Sequence, residues 1–333
     1  MQRVSINIKQ IEHISKTLKD IRIRDSHKNR EFVTFNAKGD KKIIAYLFCS
    51  AICHQTHSLI NIDKNLIGWN YLEYVFMNLA KSDSKLLDFE YINKTSEDEL
   101  SIEFQQLFPE SNESTLCTLD KLTERVRLIK NIGQVLQNKY KSRIENLINN
   151  SEMKLFDYGK GLYELLNDFE AFKDPLRKKS TLFIKLLFQS GIIRILDSER
   201  FEPLMDYHMQ RLLLRTSCID ILDNELEQKL KNKTLLDSDI EVREKCIEAI
   251  KIISKLSGFS VLDLDDIFWG IGRSCCNNKI ICRDRQCSKN PCTLNSIIHL
   301  EKHEECLFEG ICVGSLNIRY QSFWEPQVNT CFY

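Results

Sequence analysis

Apolar residues along the chain recur at helical rather than strand spacing. Ile8, Ile11, Ile14 and Leu18 lie three or four apart and predict an amphipathic helix over residues 7–22. Residues 28–40 are polar and read as a loop, whereas the strongly apolar stretch over 43–60 predicts a buried helix, followed by another over 70–80. From residue 81 to 120 the pattern weakens into acidic, Ser- and Asn-containing stretches, read as surface helices and loops. Helical period returns over 122–148, then around 161–169 and 176–188, with Gly191 as a C-terminal cap. Two more amphipathic helices are predicted over 206–229 and 239–257, and after Trp269 the periodicity fades. Only 5 prolines and 11 glycines interrupt the 333 residues, and neither an internal repeat nor a strand-rich region is apparent. The expected fold class is therefore all-α, with an N-terminal helix and loop (1–40), a helical core (41–274) and a C-terminal segment (275–333).

Composition narrows the function classes. With 43% apolar and 28% charged residues the chain reads as a globular protein with a real core. No run approaches the roughly 18 uncharged apolar residues of a membrane helix. The charged N-terminal stretch has no secretory core either, so the expectation is a cytoplasmic protein without membrane attachment. The 47 basic and 47 acidic residues balance, which argues mildly against a general nucleic-acid binder but leaves room for a local basic patch.

The 13 cysteines change the picture, because eight of them fall from Cys275 onward: Cys275, Cys276, Cys282, Cys287, Cys292, Cys306, Cys312 and Cys331. In a cytoplasmic chain such clustering reads as metal ligation before disulfides. Cys275, Cys282, Cys287 and Cys292 follow one another closely enough to wrap a single centre at small closure entropy. Thiolates suit zinc or an iron–sulfur cluster. Cys276 is an alternative first ligand, and His299, His303, Cys306 and Cys312 are rival or additional ones. A second group, Cys49, Cys53, His54 and His57, lies in an otherwise apolar stretch and reads as packed core rather than zinc.

The other chemical constellation runs from Met205 to Thr216. Pro203 cannot lie inside a helix, and Asp206 is a good N-cap for the helix that follows. His208, Arg211 and Arg215 share one polar face at spacings of three and four.

Together the two constellations resemble the endonuclease III branch of the helix-hairpin-helix DNA glycosylases, whose pattern V-D-T-H-x-x-R-V-x-x-R-T is matched at Asp206, His208, Arg211, Arg215 and Thr216. The family's cluster loop, C-x6-C-x2-C-x5-C, shares its first gap with Cys275 and Cys282, while the next two gaps here are four and four. Asp174 to Thr181 stands where the family has its phosphate-binding hairpin, with Lys179 at the lysine and both hairpin glycines absent. Residues 129–145 resemble the family's I-K-x-I-G segment, and Gln55 sits where the family places a glutamine that enters the vacated base stack. Residues 81–120 would be an insertion.

The resemblance implies a two-lobed helical glycosylase-like architecture with a C-terminal cysteine-rich metal-cluster loop, a [4Fe–4S] cluster (alternatively zinc), and monomeric action on double-stranded DNA, nucleoid-associated in a prokaryote. It implies excision of a damaged or modified base by base flipping, with AP-lyase activity if an amine attacks. Asp206 would stabilise the oxocarbenium character of the sugar, and Lys179 would be the amine nucleophile or a phosphate contact. Lys178, Arg211, Arg283, Arg285 and Gln55 would contact DNA, as would Lys289, and Tyr207 would line the base pocket. Two other readings stay open: a non-catalytic nucleic-acid-binding protein on the same scaffold, and an N-glycosidase acting on free nucleosides or modified nucleotides.

Overall fold

Most predicted helices are present in the computed structural model, which describes residues 2–287 and 292–333, but several are shorter or divided. The described residues are 54% helix and 6% strand, in keeping with the all-α expectation. In chain order the helices that matter here are α1 (Ile8–Leu18), α2 (Lys41–Ala51), α3 (Trp69–Lys81), α4 (Leu122–Tyr140), α5 (Lys178–Gln189), α6 (Tyr207–Arg215), α7 (Ile240–Ser257) and α8 (Val261–Ser274).

The divisions have local causes. The apolar run over 43–60 is helical only to Ala51. Beyond it the buried Arg125 guanidinium takes the Ile52 carbonyl, Gln55 adopts φ +44°, and the chain enters a short hairpin pairing Ile60–Asn61 with Leu66–Ile67. The run over 122–148 breaks because Lys141 and Ser142 both take positive φ, 54° and 57°, which ends α4 before a second helix, Ile144–Asn150. The run over 206–229 also divides. Ser217, at φ +60°, closes α6, and Ile219–Ile221 becomes a strand antiparallel to Val4–Ile6 before a helix at Asn224–Lys231. Conversely, α8 carries helical structure through Trp269 to Ser274, where the sequence pattern fades.

The chain separates into two units, and the separation is not linear. One contains Met1–Asn29 and Glu202–Asn329; the other contains Arg30–Phe201 and Thr330–Tyr333. The stretch 41–274, expected as one helical core, thus contributes to both, and the N-terminal helix belongs with the C-terminal half.

In the first unit α1 packs on α7, and α6 packs on α8. The α6–α8 approach is set by Gly272. A Cβ there would lie 2.6 Å from the His208 carbonyl oxygen, so only glycine lets the two backbones come this close. In the second unit α2 packs against α3 and α5. The stretch 81–120 belongs to this unit's core: the helices Phe89–Lys94 and Glu97–Gln105 both lie on α4 and bury Ile92, Leu100 and Phe104.

Candidate active site

Asp206 caps α6. Its backbone is extended (φ −108°, ψ 178°), and its Oδ1 accepts the Met209 N–H at 3.0 Å. That geometry satisfies an orphan amide and favours the ionised carboxylate through the helix dipole. The residue is nevertheless only 8% exposed. Tyr207 follows it, half-buried, its ring centroid 4.2 Å from that of His208 and its phenol pushed well above the ordinary range by desolvation.

The polar face predicted for α6 is present but turned inward. Arg211 is 2% exposed, and its guanidinium donates to the carbonyls of Cys276 (2.8 Å) and Gly272 (2.9 Å) and pairs with Glu325 at 2.6 Å. Its Nη2 also sits 2.9 Å from His208 Nδ1. Arg215 donates to the Phe323, Cys276 and Asn277 carbonyls at 2.8, 3.1 and 3.2 Å. Trp324 lies against both guanidiniums, 4.8 and 5.1 Å from its ring centroid. These arginines therefore satisfy the carbonyls that end α8 and strap the 323–325 segment onto α6. Arg211, expected at a DNA phosphate, is enclosed by protein.

In the second unit a chain of polar groups runs inward from solvent to Lys179. This lysine is fully buried; its Nζ donates to the Ala51 carbonyl and lies 3.2 Å from His54 Nδ1. A lysine can only donate, so His54 Nδ1 carries the lone pair and its Nε2–H faces Glu124. There the nitrogen and Glu124 Oε1 approach to 2.9 Å, in a geometry too bent for a regular hydrogen bond. Burial, then the Lys179 charge, hold the imidazole well below its usual range and so neutral. Burial likewise lowers the Lys179 amine to about 8. His54, read from the sequence as packed core, is core and also Lys179's partner, 125 residues away, so no local pattern signals the pairing.

The other residues expected at DNA are engaged as follows. Lys178 is 8% exposed and donates to Cys53 Sγ at 3.2 Å. Gln55 accepts from Lys121 at 2.8 Å. The Asp174–Thr181 turn spends its amides internally: Asp174 takes the Leu176 and Lys178 N–H groups at 3.1 and 3.0 Å, and the Thr181 N–H goes to the Arg177 carbonyl. Two of the amides a phosphate-binding hairpin would offer are thus already capped by a carboxylate. On the C-terminal segment Arg283 pairs with Asp284 at 2.7 Å and Arg285 with Glu309. Lys289 lies outside the described residues.

Of the expected cysteine ligands, Cys275 is buried as the C-cap of α8, whereas Cys282, Cys287 and Cys292 are half-buried. Burial first, and neighbouring thiols second, raise the Cys275 thiol far above its ordinary range. Among the described residues, no three His, Cys, Asp or Glu side chains converge so as to hold a metal ion. No helix among them is long and apolar enough to cross a membrane.

The model of a family described as queuosine salvage protein matches residues 43–259, well over half of the chain, and the match includes Asp206, Lys179, His54 and Glu124. No curated protein matches the chain. This match overturns the assignment to the helix-hairpin-helix DNA glycosylases, and with it excision of bases from DNA as an activity and a role in DNA repair. The specific choice of a [4Fe–4S] cluster loses the resemblance it came from, and the cysteine clustering remains as an expectation of metal binding only. The physical reason for the misreading is visible in α6, where the motif's arginines serve packing inside the protein.

Proposed function

Since the chain belongs to the queuosine salvage protein family, we propose that it is an N-glycosidase, releasing the base from a queuosine-type nucleoside or nucleotide by hydrolysis. Recovering a base from a nucleoside requires cleavage of its N-glycosidic bond, and that bond is the one whose chemistry suits Asp206. As the base leaves, positive charge builds on C1′ and the ring oxygen of the sugar. A fixed, ionised carboxylate in a site that excludes water stabilises this charge more than it stabilises the neutral ground state. The same carboxylate can take a proton from the attacking water.

The observation that carries this reading is the setting of Asp206. It is a nearly buried carboxylate held by the N-terminus of α6, within the matched segment and beside Tyr207, a flat apolar surface of the kind a purine-like base stacks on. The deciding experiment is base release, followed by chromatography, from queuosine nucleoside, from its nucleotide and from DNA carrying modified bases. Release from a free nucleoside or nucleotide, insensitive to added DNA, is expected. Binding of these compounds without any release refutes the proposal.

A further inference from the structure

Cys53 and Lys178 make a contact that the proposed hydrolysis does not use. Cys53 follows α2, Lys178 is the first residue of α5, and the two are 125 residues apart in the chain. Lys178 Nζ lies 3.2 Å from Cys53 Sγ, and the two residues are 8% and 7% exposed. An amine and a thiol so placed are largely shielded from solvent, and an oxidant as small as hydrogen peroxide is the reagent best suited to reach them. Oxidised sulfur at this position therefore meets the lysine nitrogen before any reagent from solution.

We propose that Cys53 and Lys178 form a modification site: a peroxide-class oxidant joins them through a covalent N–O–S bridge. In the first step the Cys53 sulfur attacks one peroxide oxygen and the O–O bond breaks, giving sulfenic acid and one water. In the second, another peroxide takes two electrons from the sulfenic acid and amine pair. The Nζ–O bond forms; the peroxide O–O bond, the sulfenyl O–H bond and one N–H bond break; and the two peroxide oxygens leave as two waters carrying the released protons. Two peroxides are consumed in all. In the unfolded protein two molecules of a dithiol, each oxidised to its cyclic disulfide, supply the four electrons that return the bridge to thiol and amine, with the oxygen leaving as water. Cys53 and Lys178 are the chain neighbours of His54 and Lys179, so the bridge pins the segment after α2 to the start of α5 at the Lys179 pair. This site stands on its own contact and does not depend on the reaction proposed above.

The test is mass spectrometry of the full-length protein after hydrogen peroxide treatment and alkylation of the remaining thiols. The expected product gains about 14 Da, one oxygen in and two hydrogens out, and the gain disappears with dithiothreitol. Digestion should yield a peptide pair joining Cys53 to Lys178. Lys178→Arg and Cys53→Ser should each abolish that pair. If either variant fails to fold, the peptide pair from the unmutated protein decides alone. A loss of about 2 Da with Cys53 in a disulfide, or a gain of about 32 Da with Cys53 as sulfinic acid, overturns the proposal. So does an unaltered Cys53 in a protein whose exposed thiols have been oxidised.

Discussion

Replacing Asp206 with asparagine separates its role as an N-cap from the chemical role proposed for it. As an N-cap it supplies an oxygen to the Met209 amide at 3.0 Å, and an asparagine side chain supplies an oxygen of the same reach. Aspartate and asparagine are nearly equivalent caps, so this part of the change costs only a few tenths of a kcal/mol. The lost attraction between the charge and the helix dipole adds about 0.3–1 kcal/mol, so the folded state of Asp206→Asn should be weaker by at most about 1.5 kcal/mol. The chemical role, by contrast, depends on the full negative charge. Removing such a group typically lowers turnover by about 10²- to 10⁴-fold, equivalent to about 2.7–5.4 kcal/mol of barrier. Asp206→Ala should lose both functions, with the missing cap costing a further 0.5–2 kcal/mol or so of stability. The assay pairs chromatographic measurement of released base with urea denaturation of the same preparations. Turnover by Asp206→Asn within a few-fold of the unmutated protein would refute the reasoning. So would a loss of activity that merely tracks a loss of fold.

Gly272→Ala places a Cβ 2.6 Å from the His208 carbonyl oxygen, a backbone atom with no room to yield, so α6 and α8 must separate. The expected cost is about 1–3 kcal/mol by denaturation, with slower base release because α6 carries Asp206; unchanged stability would show that the helices adjust freely. Arg211→Ala takes their guanidinium partner from the buried Glu325 and the Gly272 carbonyl, and leaves the Cys276 carbonyl to Arg215 alone. It should destabilise by about 3–5 kcal/mol, and a fully stable variant would show that the 323–325 strap contributes nothing. Lys179 has a folded-state pKa of about 8 against 10.5 unfolded, so between those values the unfolded chain binds more protons and stability rises with pH. The rise amounts to roughly 3 kcal/mol and is absent below pH 8, where both states are protonated. Lys179→Met should flatten it in pH-resolved denaturation, and superimposable curves for the two proteins would contradict the assignment.

Helices were legible where a local pattern suffices. The Asp206 cap is one residue preceding one helix, and the apolar stripe of α1 needs no partner to be recognised. Interruptions were not legible, because they come from backbone states and distant groups. The Lys141–Ser142 break is a pair of left-handed residues that composition does not demand, and the end of α2 is held by Arg125, more than 70 residues on. Lys179 stood out as a candidate by its place in a motif. Its pairing with His54 joins positions 125 apart, and the burial that lowers its amine comes from the packing of the whole unit.

The misassignment of substrate follows from what the α6 pattern encodes. His208, Arg211 and Arg215 at helical spacing mark a shared polar face, but spacing does not say whether that face meets solvent, DNA or protein. Here it meets the last turn of α8 and the 323–325 segment. Arg211 and Arg215 satisfy carbonyls that would otherwise be buried unpaired, at an expected cost of about 1–3 kcal/mol each. Any chain that presses an Asp-capped helix against a second helix through a glycine such as Gly272 has use for these arginines, whatever molecule it acts on. The motif thus reports how the Asp206-capped helix is packed, and the match to the queuosine salvage protein family shows that such packing is not tied to DNA as a substrate. The substrate must be read from the walls around Asp206, beginning with Tyr207. Tyr207→Ala should therefore raise KM for the nucleoside more than it lowers kcat, whereas an equal fall in both kcat and kcat/KM would place the ring in the transition state rather than in binding.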